Sequence, residues 1–288
     1  AIVNRAATPL VSFDEQPQFF GLKSIANGVF PRLRADTMAD LQTAAVVGRR
    51  FDVALMSQLW SVPEEAALIR IDGILASGFV VATGDQFSFH SDELASQCAD
   101  LMDEDVRQAL HARLASILRS LVSGHSEKST TAANYLDVTD TWLDTKRRDK
   151  RLGKELEMLW SAAQHYAAAG RHLQSAESAV TFVERLFDMS GGHPFLAGRF
   201  GRRADRERRH RIYAALTEAS AQIEVADAVR VGRSTDSELT EVRVRILTVR
   251  SRFKEVMGDF AEARRTADMS VQLSRQLVSP VARLGAQQ

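Results

Sequence analysis

The chain has 288 residues, 45% hydrophobic and 26% charged, with 37 Lys and Arg against 37 Asp and Glu. That composition is ordinary for a globular protein of about two domains, and a formal net charge of zero argues against a strong general attraction to nucleic-acid backbone or anionic membrane. The lone cysteine, Cys98, rules out an internal disulfide framework and fits a cytoplasmic setting; on the apolar face of a helix it reads as a small hydrophobe. No run of apolar residues approaches the length needed to span a bilayer. The chain opens Ala-Ile-Val-Asn, without Met or a signal-peptide pattern, and reads as a fragment of a larger protein.

Residues 1–32, with Pro9, Pro17 and the pair Phe19-Phe20, read as an irregular segment. Helical periodicity starts at Leu33 with Met38, Leu41, Ala45 and Val46, and Gly48 sits where a C-cap is wanted. Asp52 is a candidate N-cap for a helix reaching Trp60. Pro63-Glu64-Glu65 opens another, with Ala67, Leu68, Ile71, Ile74 and Leu75 as its stripe and Gly78 as its stop. Phe79 to His90 then holds two short β-branched and aromatic runs around Gly84-Asp85, the pattern of a tight β-hairpin. Helices at Asp92–Met102 and Asp105–Leu121 complete a domain over residues 33–121. A hairpin after a small helical cluster reads as the wing of a winged helix.

Residues 122–131, rich in Ser, Thr, Gly and Lys, read as a linker. The second domain, residues 132–288, reads as helical hairpins. Helices Glu155–Ala169 and Leu173–Asp188 flank Gly170-Arg171, and Leu239–Met257 and Phe260–Leu277 flank Gly258-Asp259. Between them lie a break at Ser190–Pro194 and a helix Arg206–Val229. In both hairpins the turn glycine is followed by a bulky residue and then by alanines, Ala176 and Ala179 in one, Ala263 and Ala267 in the other. Small residues let antiparallel helices approach closely, as in tetratricopeptide repeats; alanine-rich hairpins of other origin remain open. The fold class expected is therefore mainly α: a winged helix followed by tetratricopeptide-like hairpins.

No phosphate loop, dinucleotide fingerprint, zincin motif or nucleophile elbow is present, and one cysteine excludes a multi-cysteine zinc site. Beyond His90, the histidines His111, His125, His165, His172, His193 and His210 are scattered. The acidic run Asp103-Glu104-Asp105 suits a helix start. These readings point to no catalysis, no metal and no cofactor in the chain itself.

Four stretches come in a telling order: Thr43–Leu55, Ile71–Val80, Phe87-Ser-Phe-His90 and Arg107–Ala115. Together they resemble the winged-helix region that follows the ATPase core in STAND-type signalling ATPases, a group that includes ATPase regions attached to class III nucleotide cyclases and large bacterial transcriptional activators. The resemblance covers roughly residues 30–190, and more loosely the rest. It implies a regulatory fragment of a parent that binds ATP or ADP in an upstream domain, with repeats that engage a protein partner. It also implies that His90 approaches the nucleotide phosphates. The family pattern is Phe-x-His, whereas here Phe89 directly precedes His90; a strand-end histidine bonding locally is the other reading.

Seven arginines, Arg199, Arg202, Arg203, Arg206, Arg208, Arg209 and Arg211, crowd one segment of this neutral chain. Arginine's planar fork suits carboxylates and phosphates. Arg202, Arg203, Arg206, Arg208 and Arg209 are the candidate partner-binding residues, for an acidic protein surface or the parent's nucleotide-binding domain. Nucleic-acid contact through this segment is the alternative, as is DNA binding through the winged helix. Against the latter, the Pro63–Ala76 helix carries Glu64, Glu65 and Asp72 with only Arg70 as a cation.

Overall fold

The computed structural model describes residues 33–132, 141–188, 201–229 and 237–285, which are mainly α-helical with one small sheet. The chain divides into two units between Met102 and Asp103.

In the first unit, α1 (Ala35–Val47) buries Leu41, Ala44 and Val46. It ends at Gly48, with φ 118°, whose N–H donates to the carbonyls of Ala44 and Ala45. Strand β1 is the dipeptide Arg50–Phe51. The Asp52 carboxylate then accepts from the Leu55 N–H at 2.8 Å and starts α2 (Val53–Trp60). This satisfies one of the N–H groups that a helix start leaves without a partner. Helix α3 (Glu64–Ala76) follows Pro63, with Glu64 and Glu65 in its first turn, and turns Ala67, Ile71 and Ile74 inward.

Strands β2 (Val80–Thr83) and β3 (Gln86–Phe89) form the expected hairpin, Val80 opposite Phe89 and Thr83 opposite Gln86. Gly84 takes the first central turn position with φ 65°, a conformation open mainly to glycine. Strand β1 adds antiparallel to the far side of β3, Phe51 opposite Phe87, giving the order β1-β3-β2. Helix α4 (Asp92–Asp100) is capped by the Ser91 hydroxyl, which accepts from the Leu94 N–H. Phe51, Met56, Leu59, Phe89 and Cys98 are all buried, and the Phe51 ring lies 6.1 Å from that of Phe89.

The second unit is helical throughout its described residues: α5 (Glu104–Ala132), α6 (Thr141–Ala168), α7 (His172–Asp188), α8 (Gly201–Val229), α9 (Ser237–Val256) and α10 (Phe260–Gly285). Helices α5 and α6, α6 and α7, α7 and α8, and α9 and α10 pack in succession, and α9 also lies on α7 and α8. Two apolar clusters hold it: Leu159, Phe182, Phe187, Ile212 and Phe253 in one, Ala176, Val180, Ile223, Leu239 and Ile246 in the other.

The hairpins around Gly170 (φ 67°) and Gly258 (φ 81°) repeat one design. In each, the residue after the glycine donates its N–H to the carbonyl five residues back, Arg171 to Tyr166 and Asp259 to Lys254. Seven residues before and five after each glycine stand one Ala and one Ser, in opposite order. Ser175 Oγ donates to the Ala163 carbonyl at 2.8 Å, and Ser251 Oγ to the Ala263 carbonyl at 2.7 Å. The pair brings the two backbones within reach of one hydroxyl.

Several boundaries differ from the sequence reading. The helix expected to close the first domain, α5, falls in the second unit and runs to Ala132 through the stretch read as a linker. Helix α6 starts at Thr141 rather than near Glu155, and α8 at Gly201 rather than Arg206. Strand β1 has no counterpart in that reading. Ala176, Ala179 and Ala263 are buried as expected, but Ala267 is only half-buried, and Thr266 and Ser270 occupy the buried side of α10. The N-terminal segment, the break at residues 190–194 and Arg199 lie outside the described residues.

Candidate functional site

Helix α8 is anchored by Ile212, Ala215, Leu216, Ala219 and Ile223, all buried. At 3.6 residues per turn the opposite side carries Arg206, Arg209, His210 and Tyr213, all exposed, with the Tyr213 ring 64% accessible. Arg208 is half-buried and Arg211 exposed. Arg202 and Arg203 lie in the first turn of the helix, with side chains outside those described. The result is an outward ridge rich in arginine, with the exposed carboxylate Glu207 beside it and one aromatic ring on it.

Other arginines of the same unit serve its own structure. Arg245 on α9 donates to both Glu184 carboxylate oxygens, at 3.0 and 2.6 Å, and to Thr181 Oγ1. Arg119 on α5 meets Glu177 at 2.7 Å, and Arg250 reaches Ser220 Oγ on α8 at 2.5 Å. The side-chain bond to Glu184 raises the Arg245 pKa above its already high value, and that to Glu177 does the same for Arg119. These pairs fasten α5, α7, α8 and α9 to one another; the α8 ridge faces solvent.

One pair of histidines scattered in sequence comes together. His111 on α5 and His165 on α6 face each other Nδ1 to Nδ1 at 2.8 Å, with ring centroids 5.0 Å apart. One imidazole must donate its Nδ1–H to the bare Nδ1 of the other, so the contact requires that they not both be protonated. Burial pulls the His165 pKa down to about 4, with the neighbouring imidazole adding to the effect; burial and then Arg107 lower that of His111, and Glu104 opposes. Below the pair, Ser116 Oγ lies 3.2 Å from the Tyr166 hydroxyl. No group of three or more metal-ligating side chains occurs among the described residues.

His90 stands exposed just past β3, its N–H donating to the Phe79 carbonyl at 3.3 Å. It belongs to the first unit and the arginines to the second. Cys98 is fully buried, and burial pushes its thiol up to about 12, which keeps it un-ionised near neutrality. No helix among the described residues is long and apolar enough to cross a membrane. No family model matches the chain, and no curated protein or solved structure matches it either.

Proposed function

We propose that this chain is a non-catalytic protein-interaction fragment of a STAND-type signalling ATPase, and that the cationic ridge of α8 docks an acidic protein surface. The observation that carries this reading is the outward placement of Arg206, Arg209, His210 and Tyr213 on a helix whose other side is locked into a packed scaffold.

Two further features support the assignment. The order helix, strand, helix, helix, strand, strand, with the first strand on the far side of the hairpin, supports the winged-helix reading. The Gly170 and Gly258 hairpins put small residues at equivalent positions on both helices. Leu159-x-x-Ala162-Ala163-x-x-Tyr166 also follows the spacing of a tetratricopeptide first helix. In this reading ATP or ADP is held by an upstream domain of the parent, and His90 is the residue that would meet its phosphates. A parent with a cyclase or transcriptional output fits equally.

The test replaces Arg202, Arg203, Arg206 and Arg209 with Ser and measures binding to a fluorescent Glu-rich peptide and to random duplex DNA at physiological salt. Docking of acidic protein predicts that the peptide binds and weakens at least tenfold in the variant, while DNA binding is negligible in both. Tyr213 favours a second reading, since an exposed ring among arginines is a stacking platform for single-stranded nucleic acid. Submicromolar binding of a single-stranded oligonucleotide, lost in Tyr213→Ser and in the arginine variant, would replace the protein reading with that one.

A further inference from the structure

Helix α3 of the first unit has an exposed outward side. Its inward side, Ala67, Ile71 and Ile74, is completely buried. On the other side, Ile69 is 73% exposed and Leu68 44%. Ile69, Gly73 and Ala76 recur at four and three residues and form one exposed line, with Glu65 and Asp72 along its edge.

Two features of this line point to a partner. The first is charge. Among the described residues no cation pairs with Glu64, Glu65 or Asp72. The single cation of α3, Arg70, is turned to its own unit: it meets the Asp40 carboxylate at 3.3 Å and lies 4.9 Å over the Trp60 ring. The face is therefore apolar along its ridge and acidic along its edge, and among the described residues no cation answers its acids.

The second is Gly73. It sits inside a regular helix with no positive φ, and a Cβ built there would meet nothing within 4 Å. Glycine in a helix interior is less stable than alanine, and here neither backbone conformation nor internal crowding calls for it. Close approach of another backbone would use the missing side chain.

We infer that the outward face of α3 receives a basic amphipathic helix of a partner protein, which lays its apolar stripe along Ile69 and Ala76, crosses closely at Gly73 and sets Lys or Arg against Glu65 and Asp72. Helix-in-groove recognition uses these anchors at three- and four-residue spacing, and charge along the rim selects the sign of the partner. Small residues at the crossing shorten the distance between helix axes and increase the area in contact. Duplex DNA is disfavoured on the same face, because the carboxylates of Glu65 and Asp72 would meet phosphate.

The probes are two designed helical peptides with the same leucine stripe, one flanked by Lys and one by Glu, followed by fluorescence anisotropy against the full chain. The Lys peptide should bind and the Glu peptide should not. Ile69→Glu should weaken the Lys peptide at least tenfold. Gly73→Ala should raise the melting temperature and still weaken binding, and Gly73→Leu should weaken it further; loss of binding in a more stable protein cannot come from unfolding. Three results would overturn the proposal. The Lys peptide binds not at all, or binds the wild type and Ile69→Glu alike. The chain forms a dimer that Ile69→Glu abolishes, which gives the face to a second copy. Or duplex DNA binds at physiological salt and Ile69→Glu removes it.

Discussion

The imidazole pair makes the second unit sensitive to acid, and the size of the effect follows from the structure. His165 has an ordinary pKa of 6.5 that burial, aided by His111, lowers to about 4. The unfolded chain thus binds a proton between these values that the folded unit refuses, and stability falls as pH drops. It is unaffected above about 6.5, declines through the interval, and levels off below about 4. At about 1.4 kcal/mol per pH unit the full loss is ~3 kcal/mol, of which ~2 kcal/mol falls between about pH 7 and about pH 5. His111 is moved in the same direction by burial and by Arg107, with Glu104 acting against them, so the pair titrates jointly. The direct measurement is an NMR titration of the histidine C2–H resonances in the full chain. His165 should titrate well below the ordinary histidine value of 6.5. Urea unfolding at the two pH values should then show the loss in the wild type and a much smaller one in His165→Gln, which keeps a polar partner for His111 but has no charge to acquire. A His165 midpoint near 6.5, or an unchanged pH dependence in the variant, would refute the reasoning.

Ala179 is fully buried between helices and Ala267 only half-buried. Ala179→Leu should therefore overpack and cost about 1–3 kcal/mol in urea unfolding, while Ala267→Leu should cost well under that. Ala263→Leu, at the buried position equivalent to Ser175, should behave like Ala179→Leu; equal tolerance at Ala263 and Ala267 would show that the second hairpin packs differently. Removing the Asp52 cap with Asp52→Ala should cost about 1 kcal/mol, read from the unfolding transition of the first unit. The buried thiol of Cys98, held up to about 12, should resist a thiol reagent in the native protein and react fully in denaturant. Fast labelling without denaturant would place it outside the core.

What could be read from the sequence was set by residues whose role is local. Gly84-Asp85 between β-branched and aromatic runs, Asp52 ahead of an apolar stretch, and Gly170 and Gly258 at helix ends each carry their geometry with them, and the structure places hairpin, cap and turns there. Strand β1 is two residues long and exists only because Arg50 and Phe51 meet Ser88 and Phe87 far along the chain. The stretch 122–131 looked like a linker because Ser, Thr and Gly favour turns. In a helix the same hydroxyls can bond back to the carbonyl one turn earlier, as Ser116 does to Ala112 and Ser123 to Arg119 within α5. The boundary near Leu121 failed for a related reason. Helix α5 is tied to the second unit by Ser116–Tyr166, Arg119–Glu177 and His111–His165, pairs fifty or more residues apart that no local pattern announces.

The charge of the chain shows the same gap between a sum and an arrangement. Zero net charge argues against a uniformly attractive surface for nucleic acid or membrane. Electrostatic interactions between exposed groups, however, are screened over about 8 Å at physiological salt, so a partner meets a face and not a total. In the second unit, Arg119 and Arg245 are taken up by Glu177 and Glu184, while Arg206 is exposed on α8. In the first, Arg70 is taken up by Asp40 and Trp60, while Glu65 and Asp72 line an open face. Both units pair some of their charge internally and expose other charge beside an apolar or aromatic side chain, Arg206 beside Tyr213 in one and Glu65 and Asp72 beside Ile69 in the other. An apolar anchor beside exposed charge suits selective docking better than solubility, which an even mixture of signs would provide without exposing Tyr213 or Ile69.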